Sequence, residues 1–259
     1  MNEFLPDRFS ENIKRLALGL EPIDAELRLR VAHGIEVTFD TAPLQLPRPP
    51  IDHHRTSLHV VLYHPKLSSP VDLRFFDEAR RFVPRRLRIP ILTRTVAETS
   101  PPAHRVRRPV LFPGAGYDVS TGATGLRGRV LRGGQPMRWA RVEARLPGTG
   151  LLVSRAHGDD RGEFLLLIGA EASPVGDLNP PLRVEVAVLG PAVPPVPPTP
   201  DRPDIDPLWD LPLEQAAVPG GADPVSAGES QPPNYTASIV QSVDLEYGRI
   251  LSGLTFTIP

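Results

Sequence analysis

Cysteine is absent from the 259-residue chain, which excludes a disulfide scaffold, a thiolate zinc site and a cysteine nucleophile together. Net charge is nearly absent too: 29 Lys and Arg stand against 30 Asp and Glu, giving a formal charge of -1. A chain without a global field has nothing to steer it toward nucleic acid or an anionic membrane surface. No run of about 18 apolar residues occurs, and the N-terminal MNEFLPDRFSENIK lacks the basic-then-apolar pattern of a cleaved signal. The expectation is a soluble chain, cytoplasmic or part of a particle assembled in the cytoplasm, with no membrane insertion and no nucleic-acid partner. Lysine is confined to Lys14 and Lys66; a GC-rich coding genome explains that as well as function does.

Proline is what the chain has in excess. Its 33 prolines are more than twice the usual share of about 5%, which argues against long helices. One helix is expected, over residues 9 to 20, where Phe9, Ile13, Leu16, Ala17 and Leu20 recur at helical spacing, with Ser10 able to cap the start and Gly19 plus Pro22 marking the stop. Its apolar stripe reads as a docking face, within its own domain or on a neighbouring subunit. From Leu27 the period changes to two: Leu27, Leu29 and Val31, then Ile35, Val37 and Phe39 after Gly34, read as a hairpin. Further strands are expected at 57–64, with Leu58, Val60 and Leu62 on one face and His59, Val61 and Tyr63 on the other, at 71–76 and at 86–92, which makes a small sandwich. The proline-rich piece 43–50 is a connection.

The densest charge lies at Arg74, Arg80, Arg81, Arg85, Arg86 and Arg88, with Arg94, Arg105, Arg107 and Arg108 following. Such guanidiniums suit carboxylate or phosphate recognition; a solvated, aggregation-resistant sheet edge is the plainer reading. Residues 113–124, with Gly114-Ala115-Gly116, lack the third glycine and the helix of a nucleotide fingerprint and read as an interdomain linker.

Residues 126–168 read as short strands joined by Gly-rich turns, and 182–189 (LRVEVAVL) alternates cleanly. Gly128 and Val130, Ala140 and Val142, then Asp160, Gly162 and Phe164, with a closing Gly253, Leu254, Phe256 and Ile258, resemble the carboxypeptidase regulatory-like module, a transthyretin-like β-sandwich. The resemblance covers about residues 123–190 and 235–259 and implies a non-catalytic stabilising or interaction domain. It departs from the family at 191–234, which is rich in proline and in Asp201, Asp204, Asp206, Asp210, Glu214, Asp223 and Glu229. By composition this insertion is expected to be a disordered loop, with Leu208, Trp209, Leu211 and Leu213 as anchors on the sandwich or on another subunit. Its sign complements the arginine segment, and the two are expected to meet, within a chain or between neighbours.

Candidate chemistry is thin. His33, Glu36 and His157 can be drawn as a zinc triad, but on an extended strand His33 and Glu36 point to opposite faces, and His53, His54, His59 and His64 read as loop or edge histidines. Asp159-Asp160 fits a β-turn. No catalytic, cofactor-binding or metal-binding residue is expected.

The fold class expected is therefore all-β: two tandem β-sandwiches (23–112 and 125–259) behind a docking helix within 1–22, with the long insertion at 191–234. The function expected is a non-enzymatic structural or adaptor protein, a homo-oligomer or a component of a larger assembly. Partner-binding positions are Phe9, Ile13 and Leu16 on the helix, Arg80, Arg81, Arg85 and Arg86 on the arginine segment, and Leu208, Trp209 and Leu211 on the arm. The run Asp77 to Pro90 (DEARRFVPRRLRIP) resembles accessory proteins of phage-tail-like contractile injection systems, which implies a tail, cap or baseplate component. The competing class is a carbohydrate- or ligand-binding module with Trp139, Trp209, Tyr63 and Tyr117 as its platform.

Overall fold

The computed structural model describes residues 15–40, 50–54, 56, 58–169 and 181–259, and they form an all-β molecule. Its first part contains β1 (Leu16–Leu20), β2 (Ile23–Asp24), β3 (Glu36–Phe39), β4 (Ile51–His53), β5 (His59–Leu62), β6 (Val71–Phe76) and β7 (Arg85–Ile89). A short helix α1 (Arg94–Thr99) and strands β8 (Val106–Arg107) and β9 (Val110–Leu111) complete it. The second part contains β10 (Thr124–Arg132), β11 (Gln135–Pro136), β12 (Arg141–Arg145), β13 (Leu152–His157), β14 (Glu163–Ile168) and β15 (Leu182–Gly190). Its last strands are β17 (Ala237–Leu245) and β18 (Ile250–Ile258), and between β15 and β17 an arm carries the one-turn helix α2 (Arg202–Ile205) and strand β16 (Leu213–Gln215).

In the first sandwich, the sheet β4-β5-β1-β8 faces the sheet β16-β7-β6-β3. Leu18, Leu20 and Val61 from one pack against Val37, Leu73, Phe75, Leu87 and Ile89 from the other, as period-two burial requires. In the second, β14-β10-β18 faces β13-β12-β15-β17, and Leu126, Val130, Phe164 and Phe256 meet Val142, Val184, Val186 and Val188. Gly128 is small for a reason: a Cβ there would lie 2.7 Å from Cζ of Phe164.

Several expectations are corrected. Residues 16–20 form a strand, not the end of a helix. LALGL is apolar throughout, and so short a run fits either period; pairing with β5 on one side and β8 on the other decides for the strand. Phe9 and Ile13 lie outside the described residues, and the first sandwich begins inside the segment assigned to a docking helix. Leu27 and Leu29 do not form a strand arm but are exposed. There the Asp24 carboxylate accepts from the N–H groups of Glu26 and Leu27, at 2.8 and 3.0 Å, and that local turn competes successfully with a ladder. The two faces expected for β5 are both seen: His59 and Val61 are buried, and Val60 and Leu62 are half-buried.

The insertion is not a disordered loop. It crosses from the second sandwich to the first and adds β16 as an edge strand parallel to β7, with Glu214 opposite Leu87. The linker is also packed: the N–H groups of Gly114 and Gly116 donate to the carbonyls of Arg81 and Arg80 at 2.7 and 2.8 Å.

The turn before β14 gives a direct test of backbone geometry. Gly162 sits at φ +72° and a Cβ would meet the Val130 carbonyl at 2.6 Å, whereas Gly133 sits at φ +55° with open space around it. Gly133→Ala is expected to lose about 1–2 kcal/mol for its left-handed backbone, and Gly162→Ala clearly more. Urea unfolding of both variants checks this; equal losses would contradict the packing of this turn.

Candidate functional site

The parity of β7 puts Leu87 and Ile89 inward, and therefore Arg85 as well. Arg85 is 0% exposed. A guanidinium has five N–H donors, and here all are used: Nε and Nη2 grip the two oxygens of Glu214 at 3.1 and 2.9 Å, Nη1 donates to the carbonyls of Val110 (2.8 Å) and Ser226 (3.1 Å), and Nη2 donates to that of Val225 (2.7 Å). Burying a cation is costly unless it is paired and fully hydrogen-bonded, and the arm supplies that pairing.

Glu214 is shared. On its far side Nη2 of Arg141, from β12 of the second sandwich, donates to Oε1 at 3.4 Å. Nη1 of Arg141 donates to the Trp139 carbonyl at 3.0 Å, which also accepts from the Tyr235 hydroxyl at 2.9 Å. One carboxylate from the arm thus ties a strand of each sandwich. Next to it Trp139, 2% exposed at φ +61°, packs with Val83 of the first sandwich and with Leu208 and Leu211 of the arm. Its indole N–H donates to Asp210 at 2.8 Å, and Arg138 pairs with the same carboxylate at 2.9 Å.

Two guanidiniums around one carboxylate leave a net positive charge, and a neighbouring histidine must respond. His157 is buried with its ring stacked on Phe112, centroids 3.9 Å apart. Burial, then Arg141, Arg85 and Arg155, push its pKa well below the ordinary 6.5.

Most of the arginine segment is paired within the chain. Arg74 grips Asp206 through two bonds of 2.7 Å and also pairs with Asp40. Burial works against ionisation of Asp206, yet the hydrogen bond and charge of Arg74, the Leu208 N–H and the charge of Arg202 together outweigh it and hold the carboxyl below its usual range. Arg86 pairs with Asp40, Arg88 with Asp72, and Arg107 with Asp223.

Of the positions expected to bind partners, Arg85 and Leu211 are interior and offer no surface. Leu208 and Trp209 are half-buried in the arm, and Arg86 donates to the Leu211 carbonyl at 3.3 Å. Arg80 bridges to Asp160 of the second sandwich at 2.9 Å, and Arg81 pairs with Asp77. Leu16 is half-buried on β1, opposite Leu62. Sequence reasoning missed Arg141 and Tyr235, and it named Glu214 and Asp210 as acids of an insertion expected to meet the arginine segment without assigning their partners. The parity of Arg85 with Leu87 and Ile89 could have found the Glu214 contact, because an inward arginine demands a buried acid.

Beside the junction lies a cavity of about 580 Å3, walled by Phe76, Phe82, Ile205, Leu208 and Trp139 and rimmed by the Arg80–Asp160 and Arg74–Asp206 pairs. The histidines form small local groups: the rings of His53 and His59 stack at 4.8 Å. Among the described residues no three or more His, Asp or Glu are placed to hold a metal ion, and no helix is long and apolar enough to cross a membrane.

Two outcomes follow. Glu214→Gln leaves Arg85 and Arg141 buried without a counter-charge, a loss of about 3–5 kcal/mol, readable as a lowered urea midpoint; an unchanged midpoint would contradict the shared carboxylate. Folded His157 binds its proton only well below 6.5, while the unfolded chain binds one near 6.5. Stability therefore falls as pH drops below about 6.5. His59, lowered to about 4 by burial and then by His53, adds to the same window. Unfolding measured between pH 7 and 4 is expected to show this slope, and His157→Gln to flatten it; an equal slope in the variant would contradict the buried neutral ring.

Neither a protein-family model nor a curated protein matches the chain. A solved structure that does match is a 9R-lipoxygenase from Cyanothece PCC8801, at a TM-score of 0.30 and 13% identity, over 53% of this chain and 17% of that one. The chain spans a small share of that protein, and a superposition of this quality carries no argument about fold or activity.

Proposed function

We propose that the chain is a non-enzymatic structural or adaptor protein, which joins other protein subunits through the outside of a rigid two-sandwich unit. The observation that carries this reading is the junction: its ionisable groups, Arg85, Glu214, Arg141 and Asp210, are all held in mutual pairs or hydrogen bonds that fix one sandwich against the other. Their chemistry is that of a clamp.

Two resemblances extend the proposal. The second sandwich, two facing four-stranded sheets, with Gly128 under the Phe164 ring and Gly162 at a left-handed turn, supports kinship with the carboxypeptidase regulatory-like module and its interaction role. The run DEARRFVPRRLRIP supports placement as a tail, cap or baseplate component of a phage-tail-like contractile injection particle. One observation favours the alternative, a ligand-binding module: the cavity of about 580 Å3 at the junction. Against a carbohydrate platform, Trp139 is sealed in the interior.

Native gel filtration of source-cell extract, with the chain detected by antibody, tests the adaptor reading. It is expected to elute with other proteins, far above the 28.3 kDa of the single chain; elution as a free monomer in fresh extract and as purified protein would overturn it.

A further inference from the structure

The arm contains a second element besides its clamp. Residues 191–200 read PAVPPVPPTP, without a charged side chain. Six of the ten are proline, whose ring fixes φ near −65°, and Val193, Val196 and Thr199 each precede a proline, which excludes the helical region for them. Local sterics alone therefore bias the stretch toward the polyproline II conformation. Pro194 to Pro197 run without a bend, between bends at 192–193 and 198–199 and a turn at 200. In such a helix every third residue shares a face, which aligns Pro194 with Pro197.

Both ends are fastened. Arg132 Nη1 donates to the Pro191 carbonyl at 2.7 Å, and the Ala192 N–H donates to the Asn234 carbonyl at 2.8 Å. At the far end the Arg202 N–H donates to the Thr199 carbonyl, and Arg202 pairs with Asp206, itself gripped by Arg74. Between these anchors the segment arches through solvent. Val193 is 73% and Val196 80% exposed, more than any other large hydrophobic among the described residues. Just beyond it the carboxylates of Asp201 and Asp204 make no ion pair among the described residues.

We propose that Pro194 to Pro197, with the exposed Val193 and Val196 beside and within them, form a preorganised polyproline ligand that docks into an aromatic-lined groove on a different protein, with basic side chains at the groove rim facing Asp201 and Asp204. The chemistry selects that partner. A polyproline face has exposed carbonyls and flat apolar rings, which aromatic side chains cover while donating hydrogen bonds. A second copy of this chain offers a cavity walled by Phe76, Phe82 and Trp139, but its rim arginines Arg74 and Arg80 are already paired with Asp206 and Asp160 and are not free to face Asp201 and Asp204. Fastening both ends removes ordering entropy before the partner arrives. The inference rests on the adaptor reading and names one of its contact surfaces.

The test places a photo-crosslinking amino acid at Val196 of the full chain in its source cell and maps the crosslinked residue by mass spectrometry. Crosslinking to an aromatic-lined groove of another protein is expected. With that protein purified as the probe, Val193→Ser with Val196→Ser is expected to bind roughly tenfold more weakly or worse while its thermal midpoint stays unchanged, because both side chains are already in water. Crosslinks to this chain, to a groove without aromatics, or to nothing would overturn the docking proposal; if the chain still elutes with other proteins, the adaptor reading stands without it. A free monomer in extract together with no crosslink would overturn both.

Discussion

Glu214 lies where it can be neither hydrated nor left alone. Its carboxylate is bound by Arg85 of β7 and Arg141 of β12, so strands from two sandwiches and the arm that brings Glu214 are all needed for one desolvated site to be satisfied. Removing any single member strands charge in a low-dielectric interior, where an unpaired ion is far more costly than in water. The remaining junction follows from it. Arg85 also binds the Val225 and Ser226 carbonyls, which fastens the returning half of the arm. Arg141 holds the Trp139 carbonyl, and that places the indole against Val83 and Leu211.

This constraint explains how a segment of disorder-like composition becomes ordered. Residues 191–234 contain too little apolar surface to fold alone, but their carboxylates meet fixed arginines: Asp206 meets Arg74, Asp210 meets Arg138, Glu214 meets Arg85, and Asp223 meets Arg107. The arm neutralises Arg74, Arg85 and Arg107 of the basic segment in turn, while Arg80, Arg81, Arg86 and Arg88 pair with Asp160, Asp77, Asp40 and Asp72 of the two sandwiches. What remains outside is the proline arch.

Strands β6 and β15 were legible because alternation is unambiguous where one face is buried: Val71, Leu73 and Phe75, and Val184, Val186 and Val188. The complementarity of arm and arginine segment was legible as charge sign, though not that Arg85 would be sealed inside, since a run of arginines reads as surface until each is assigned to a face. β1 was misread because LALGL carries no period, and its strand identity comes from β5 and β8, distant in sequence. Arg141 lacked any local signal; the burial of Trp139 was legible in the strand pattern, but not its left-handed backbone, which only the packing of two domains and an arm selects.

The central claim is that the shared carboxylate makes two sandwiches one cooperative unit. Differential scanning calorimetry of the intact chain tests it most directly, through the ratio of calorimetric to van't Hoff enthalpy. A single transition with a ratio near one is predicted; two resolved transitions, or a ratio near two, would show that the sandwiches unfold independently and that the clamp does not join them.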